Sequence, residues 1–426
     1  MSRFCVLLVL LLAVNAAGQK TLLPLAEYEV RTAEQAIVAE LARTEGAAQD
    51  SMAPDVIRAI NQYRRELISE LQRVRDVPNG RMPPPAMIVR GVNTAQYPSV
   101  GALLYNAETV CSGTLIGRSS FLSASHCFER SDEPRDYAVY LQHSGILAVA
   151  RLDPHPQAEL DIMLLTLQQP VTGIATSKIP AALTSIGQQR QIVGFGVTAT
   201  GASDSGIKRQ GGITTSECHP DGGVNFICWD FHPLYMLVDP PSNVCSRDSG
   251  GPVGIASNSR LIIEEGVAVR VTPGINCQSS SQSWSMAIRP HAEWLNSLIE
   301  SDEPSLMPEL PVCCGEGVTV LVKQSELPKS WGTWFEDFSF EVPDKVRVVR
   351  VALNAIDIPL SNLELSVRAV VPLPVTPGCK DLGRYESCEY RFEKAPPKFW
   401  AARVENSAPA KVFFQLVVTM FELPDN

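Results

Sequence analysis

Three short segments, far apart but in a fixed order, constrain this chain more than its composition does. They are Ser123-Ala124-Ser125-His126-Cys127, Leu160-Asp161-Ile162-Met163-Leu164-Leu165 and Cys245-Ser246-Arg247-Asp248-Ser249-Gly250-Gly251-Pro252. In the last, glycines beside a serine let the backbone pass close to a carbonyl with no Cβ in the way. The serine N–H can then point at an oxygen that becomes negative during acyl transfer. A serine hydroxyl is a weak nucleophile until a neighbouring base takes its proton, and His126 is the histidine placed to do so. An acid before an apolar strand is costly unless paired, and orienting the imidazole of His126 is the pairing open to Asp161. A polar turn would explain residues 245–252 alone, but not all three segments.

Histidine, then aspartate, then serine is the chain order of one triad class. On these motifs, residues 88–300 resemble the trypsin/chymotrypsin-like serine proteases. The resemblance implies a mostly β fold of two six-stranded antiparallel β-barrels. It implies peptide hydrolysis by His126, Asp161 and Ser249, with protein or peptide substrates and no cofactor. The oxyanion hole would use the N–H groups of Arg247 and Ser249. The family has glycine where this chain has Arg247, and a left-handed φ there costs another residue about 1–2 kcal/mol. The Arg247 side chain is expected over the leaving-group side of the cleft.

Further expectations follow from the same resemblance. Ile88-Val89-Arg90-Gly91 is similar to the mature N-terminus of the family, whose α-ammonium folds inward to pair with the aspartate before the nucleophile, here Asp248. Asn243 takes the floor of the specificity pocket, with Thr272 and Ser283 on its walls. A neutral floor cannot pair a cation, so a neutral residue is expected on the acyl side of the scissile bond. The resemblance pairs Cys111 with Cys127, Cys218 with Cys228 and Cys245 with Cys277. The loops between His126 and Asp161 are shortened, including the usual calcium-binding one, and no metal is assigned.

The remainder of the chain is read from its residues. One arginine, then an apolar run from Cys5 to Val14 and small residues Ala16-Ala17-Gly18, mark residues 1–18 as a secretory signal. That run is too short to span a bilayer. Residues 19–87 read as a helical propeptide and connector. Val56, Ile57, Ile60, Tyr63, Leu67, Leu71 and Val74 fall on one helical face, and Pro83-Pro84-Pro85 forms an extended link. Residues 301–311 are a proline-rich linker. Residues 312–426 hold alternating runs such as Val346-Arg347-Val348-Val349-Arg350-Val351 and read as a β-sandwich accessory domain. It loosely resembles the accessory modules of bacterial secreted peptidases.

Composition excludes some roles. A net charge of −10 offers no basic tract to repay phosphate binding, so nucleic acid is not an expected partner. Nothing after residue 20 is apolar enough for a membrane span. Of 11 cysteines, removal of Cys5 with the signal leaves ten, an even number suited to disulfides in an exported chain. With the three protease bridges made, Cys313 and Cys314 are each expected to join Cys379 or Cys388, a zinc site being the alternative. Two rival functions stand beside a secreted endopeptidase. One is an impaired homologue that acts by binding. The other, a serine esterase, lacks its G-x-S-x-G elbow.

Overall fold

A computed structural model describes residues 22–25, 38, 41, 64, 65, 68, 88, 91–129, 132–198, 202–218, 225–231, 242–257, 260–271, 277, 282–299, 310–328, 334–356, 363–369, 378–407 and 410–423. The expected signal, most of the expected propeptide and most of the linker lie outside these residues. Val38, Leu41, Arg64, Arg65 and Ile68 are helical, and Arg64 Nη1 donates to the Leu41 carbonyl at 2.7 Å.

The apolar runs after residue 99 become antiparallel strands. Val100–Tyr105, Glu108–Leu115, Ser120–Ser123, Tyr137–Leu141, Gly145–Pro154 and Met163–Leu167 close into a six-stranded barrel. Leu103, Phe121, Val139, Leu141 and Leu165 fill its interior. A closed sheet has no free edge, so its rim and loops are left to carry chemistry.

The second sheet corrects an expectation. Among the described residues it is not a closed six-stranded barrel but seven strands, in the order Phe226–Asp230, Gln282–Ala287, Arg260–Val271, Pro252–Ser257, Gln189–Gly194, Arg209–Thr214 and Val92–Asn93. One bridge, Ser216 to Cys228, and the Cys218–Cys228 disulfide draw the sheet round in place of a ladder. The cause lies at Thr215. Its hydroxyl donates to the Ser185 carbonyl at 2.8 Å and accepts from Gln188 N–H at 2.9 Å, which holds it to the 185–188 segment. A helix, Ala292–Ile299, closes the unit by placing Leu295 among Ile116, Leu122, Ile162, Val267 and Ile288.

The C-terminal region forms two antiparallel sheets around one core. One contains Val318–Leu327, Val412–Glu422, Val346–Ala355, Tyr385–Arg391 and Gly378–Leu382, in that order; the other contains Trp334–Glu341, Phe399–Asn406 and Leu363–Ala369. Phe338, Trp400 and Val404 of the smaller sheet meet Val351, Phe414 and Leu416 of the larger. The 378–391 hairpin was not foreseen, because Lys380, Asp381, Glu386 and Glu389 mask its apolar alternation.

That hairpin also corrects the disulfides. Cys379 and Cys388 face each other in register and bond, while Cys313 bonds Cys314. Cys313 is held elsewhere, bridged to Ile174, with its N–H on the Gly173 carbonyl at 2.8 Å. It therefore docks on the first barrel, and its disulfide with Cys314 leaves it no bond to the hairpin. The other three bridges are Cys111–Cys127, Cys218–Cys228 and Cys245–Cys277.

An N-terminal strand, Leu23–Pro24, completes the larger sheet by pairing with Val322 and Leu321, and Leu22 is buried in the shared core. The C-terminal region also seats directly on the first barrel. Asn354 Oδ1 accepts from Tyr140 Oη and Gln142 Nε2, each at 3.2 Å. Arg350 Nη1 donates to the Thr172 carbonyl at 2.8 Å, and Thr109 Oγ1 bonds Tyr385 Oη at 2.5 Å. Buried polar groups persist when they are satisfied in this way, and they fix one docking register.

Candidate active site

His126 lies in a one-turn 3₁₀ helix, Ser125–Cys127, directly after the Ser120–Ser123 barrel strand. The Cys111–Cys127 disulfide fastens this turn to the Glu108–Leu115 strand. Asp161 precedes the Met163–Leu167 strand, between the buried side chains of Leu160 and Ile162. Those two apolar anchors leave the carboxylate facing the histidine turn. Asp161 Oδ2 lies 2.6 Å from His126 Nδ1, and Oδ1 accepts from the His126 N–H and from Ser125 Oγ, both at 2.9 Å.

Burial alone would raise the pKa of Asp161, but the hydrogen bonds and charge of His126, with Ser125, hold it below the ordinary carboxylate value. An ionised Asp161 accepts a hydrogen bond from Nδ1–H, so a neutral imidazole carries its lone pair on Nε2. This leaves a base at the nitrogen remote from the carboxylate.

Ser249 sits in the turn 248–251, half-buried. Its carbonyl accepts from the Ser112 N–H at 2.8 Å. Gly250 has φ +81°, and a Cβ there would fall on Ser123 Oγ, the Ser112 carbonyl and the Ala124 nitrogen. The glycine therefore lets the nucleophile turn press against the strand end that leads into His126. No hydrogen bond joins Ser249 and His126 among the described residues.

Arg247 has φ +73°, the left-handed conformation in which glycine is the unstrained residue. Its carbonyl accepts from Ser112 Oγ at 3.0 Å, and Ser112 Oγ accepts in turn from the Phe195 N–H at 2.8 Å. Its guanidinium Nη1 is tied to Ser205 Oγ at 2.5 Å, rather than lying free over the leaving-group side.

Asp248 is buried, with one carboxylate oxygen on the Gly196 N–H at 2.8 Å and the other on the Cys245 N–H at 2.9 Å. Burial pushes its pKa up to about 7, against the pull of those two N–H groups and of Arg209. Ile88 is 1% exposed, packed with Ile192, Ile213, Trp229 and Val244, and its nitrogen lies beside Gly211. No hydrogen bond or ion pair joins Ile88 and Asp248 among the described residues of this uncut chain.

Asn243 is sealed from solvent. Its Nδ2 donates to the Cys277 carbonyl at 2.8 Å, and its Oδ1 accepts from Ser283 Oγ and from the Val244 N–H at 3.0 Å. Asn243 and Ser283 are thus brought together, while Thr272 lies outside the described residues. The sequence reading missed Ser112 and Ser205, which hold the nucleophile turn. Ser112 could have been noticed as the hydroxyl inside Cys111-Ser112-Gly113. Ser205 stands in a glycine-rich loop with no local signal.

The region that holds these residues is similar to known proteins. Residues 88–287 match the Trypsin family model. Mast cell protease 2 of Ovis aries is 26% identical over 216 residues, covering 46% of this chain and 81% of that protein. The trypsin of Sus scrofa is 26% identical over 194 residues, covering 40% of this chain and 81% of its own length. A solved structure of human heparin binding protein is 18% identical with a TM-score of 0.41, covering 51% of this chain and 99% of that one.

Proposed function

We propose, from the premise that residues 88–287 are a trypsin-like serine protease domain, that the protein is a secreted endopeptidase working through His126, Asp161 and Ser249. The observation that carries this reading is the threefold hydrogen bonding of Asp161 by the Ser125–His126 turn. In the proposed reaction, His126 Nε2 takes the proton of Ser249 Oγ as that oxygen attacks the scissile carbonyl. The carbonyl oxygen gains the negative charge, and the N–H groups of Arg247 and Ser249 receive it. His126 then returns the proton to the leaving amine, and water hydrolyses the acyl-enzyme by the reverse roles.

The reading includes a zymogen. Cutting after Met87 would give Ile88 an α-ammonium, and a buried carboxylate such as Asp248 gains most from a paired cation. The specificity pocket would take a neutral residue, because Asn243 has no charge and its amide is committed to Cys277 and Ser283. Secretion is supported by the signal-like first 18 residues and by five disulfides, which persist in oxidising compartments. No helix among the described residues is long and apolar enough to cross a membrane. The C-terminal region would be a β-sandwich accessory domain.

An active-site phosphonate tests the reading. Covalent labelling of Ser249 in the matured protein, absent in Ser249→Ala, is the expected result. A matured wild type that stays unlabelled and cleaves no peptide would instead favour the impaired, binding homologue.

A further inference from the structure

A chain of contacts runs from the C-terminal region to the nucleophile turn. Asn354, at the end of the Val346–Ala355 strand, donates Nδ2 to the Gly206 carbonyl at 2.8 Å. Gly206 has φ +94°, and a Cβ on it would meet the Ala355 carbonyl and Tyr385 Oη. The glycine is therefore what lets the 202–206 loop lie flat against the C-terminal sheet. On its other side, the Gly206 N–H donates to the Phe195 carbonyl at 2.8 Å. Phe195 itself donates to Ser112 Oγ, which donates to the Arg247 carbonyl.

Ser205, one residue earlier in that loop, is completely buried and receives the Arg247 guanidinium. Arg247 is thus held at two points, its carbonyl by Ser112 and its side chain by Ser205. Ser112 Oγ is held by the Phe195 N–H, and Ser205 belongs to the 202–206 loop on which the C-terminal region rests. A non-glycine residue at φ +73° does not stay there without such support, because the left-handed region costs it about 1–2 kcal/mol. Relaxation to negative φ would rotate the peptide before Arg247 and swing its N–H away from the position it must hold.

We infer that Ser205 and Asn354 are positioning residues for the Arg247 N–H, and that the C-terminal region acts as a built-in clamp on the oxyanion turn through Asn354, Gly206 and Ser205. The clamp stands in for the freedom that glycine would have supplied at position 247. The catalytic unit then depends on the C-terminal region for rate, beyond any role that region has in folding. This inference rests on the endopeptidase reading above.

The test uses the full-length, matured enzyme and a short chromogenic peptide. Ser205→Ala and Asn354→Ala are each made alone and together with Arg247→Gly, with a thermal melt for each. Tyr385→Phe, a milder change on the same face of Gly206, replaces Asn354→Ala should that variant lose its fold. Each single change is expected to lower kcat by about 10–100-fold with KM changed less than about twofold, as misplacement of one oxyanion donor would. In the Arg247→Gly background the same changes are expected to cost less than about threefold, because glycine holds the turn unaided. A peptide aldehyde, which forms a tetrahedral adduct, should lose affinity in parallel with kcat. An unchanged kcat in Ser205→Ala, or an equal loss with Arg247→Gly present, overturns the inference while leaving the protease reading intact. A wild type that neither cleaves peptide nor takes a phosphonate label on Ser249 overturns both.

Discussion

His143 Nδ1 lies 2.9 Å from Thr419 Oγ1, joining a barrel turn to the last strand of the C-terminal region, while its Nε2 donates to the Ala95 carbonyl at 2.7 Å. With Nε2 the donor, a neutral imidazole accepts at Nδ1 from the Thr419 hydroxyl. Burial, with Lys208 and Arg350 nearby, lowers its pKa to about 3, against the opposing pull of the Ala95 carbonyl.

That pairing sets a pH dependence. The folded chain keeps His143 neutral down to about pH 3, whereas an unfolded histidine binds a proton near pH 6.5. Between those values the unfolded state holds the extra proton, so stability falls as pH drops from about 6.5 toward 3. His143→Gln should flatten this slope, which urea unfolding at a series of pH values will measure. An identical slope in that variant would show that acid acts elsewhere.

The catalytic assignment gives the second prediction. Ser249→Ala and His126→Ala should each lower peptide hydrolysis by at least about 10⁴-fold with little change in melting temperature. Asp161→Asn should cost about 10³–10⁴-fold in kcat, because an amide no longer fixes Nδ1 as the donor. Substantial hydrolysis by purified Ser249→Ala would end the assignment.

Gly250→Ala should damage the fold as well as the rate. The substitution places a methyl group at φ +81° against Ser112, Ser123 and Ala124. The backbone contribution alone is about 1–2 kcal/mol. Collision with the backbone atoms of Ser112 and Ala124 adds to it, since those atoms cannot rotate aside. Denaturant midpoints and activity should fall together, in contrast to Ser249→Ala.

Maturation supplies the fourth. In the uncut chain Asp248 has its pKa raised to about 7, so its contribution to stability is full below about pH 4 and is lost as pH rises through 7. Asp248→Asn should remove that part of the pH profile in the uncut Ser249→Ala chain. After a cut at Met87, the Ile88 ammonium would favour the ionised carboxylate and shift the loss of stability away from neutral pH. Edman sequencing of Ser249→Ala expressed without other proteases decides whether the enzyme makes this cut. A clean Ile88 N-terminus there would exclude self-maturation.

The sequence made some of this legible because a few residue types leave few alternatives. Asp161 between Leu160 and Ile162 had to find a partner, and His126 is that partner. The runs at 346–353 and 412–421 declared strands by their apolar content. The 378–391 hairpin did not, since its charged residues hide the pairing of Cys379 with Cys388. Arg247 was visible as a departure, yet its support was not. Ser112, Ser205 and Asn354 are ordinary polar residues separated by 93 or more positions, and only the docked sheets bring their effects together. Long-range polar contacts of this kind leave no periodicity to read.

Leu23 pairs with Val322, about 300 positions further along the chain. During synthesis the earlier strand therefore waits without its partner until most of the polypeptide exists. The timing of a cut after Met87 then has a physical consequence. Made late, it falls in a chain whose two pieces are already held together at the sheet edge. Made early, it turns an intramolecular pairing into a meeting of two molecules, and the high effective concentration given by the covalent link is gone.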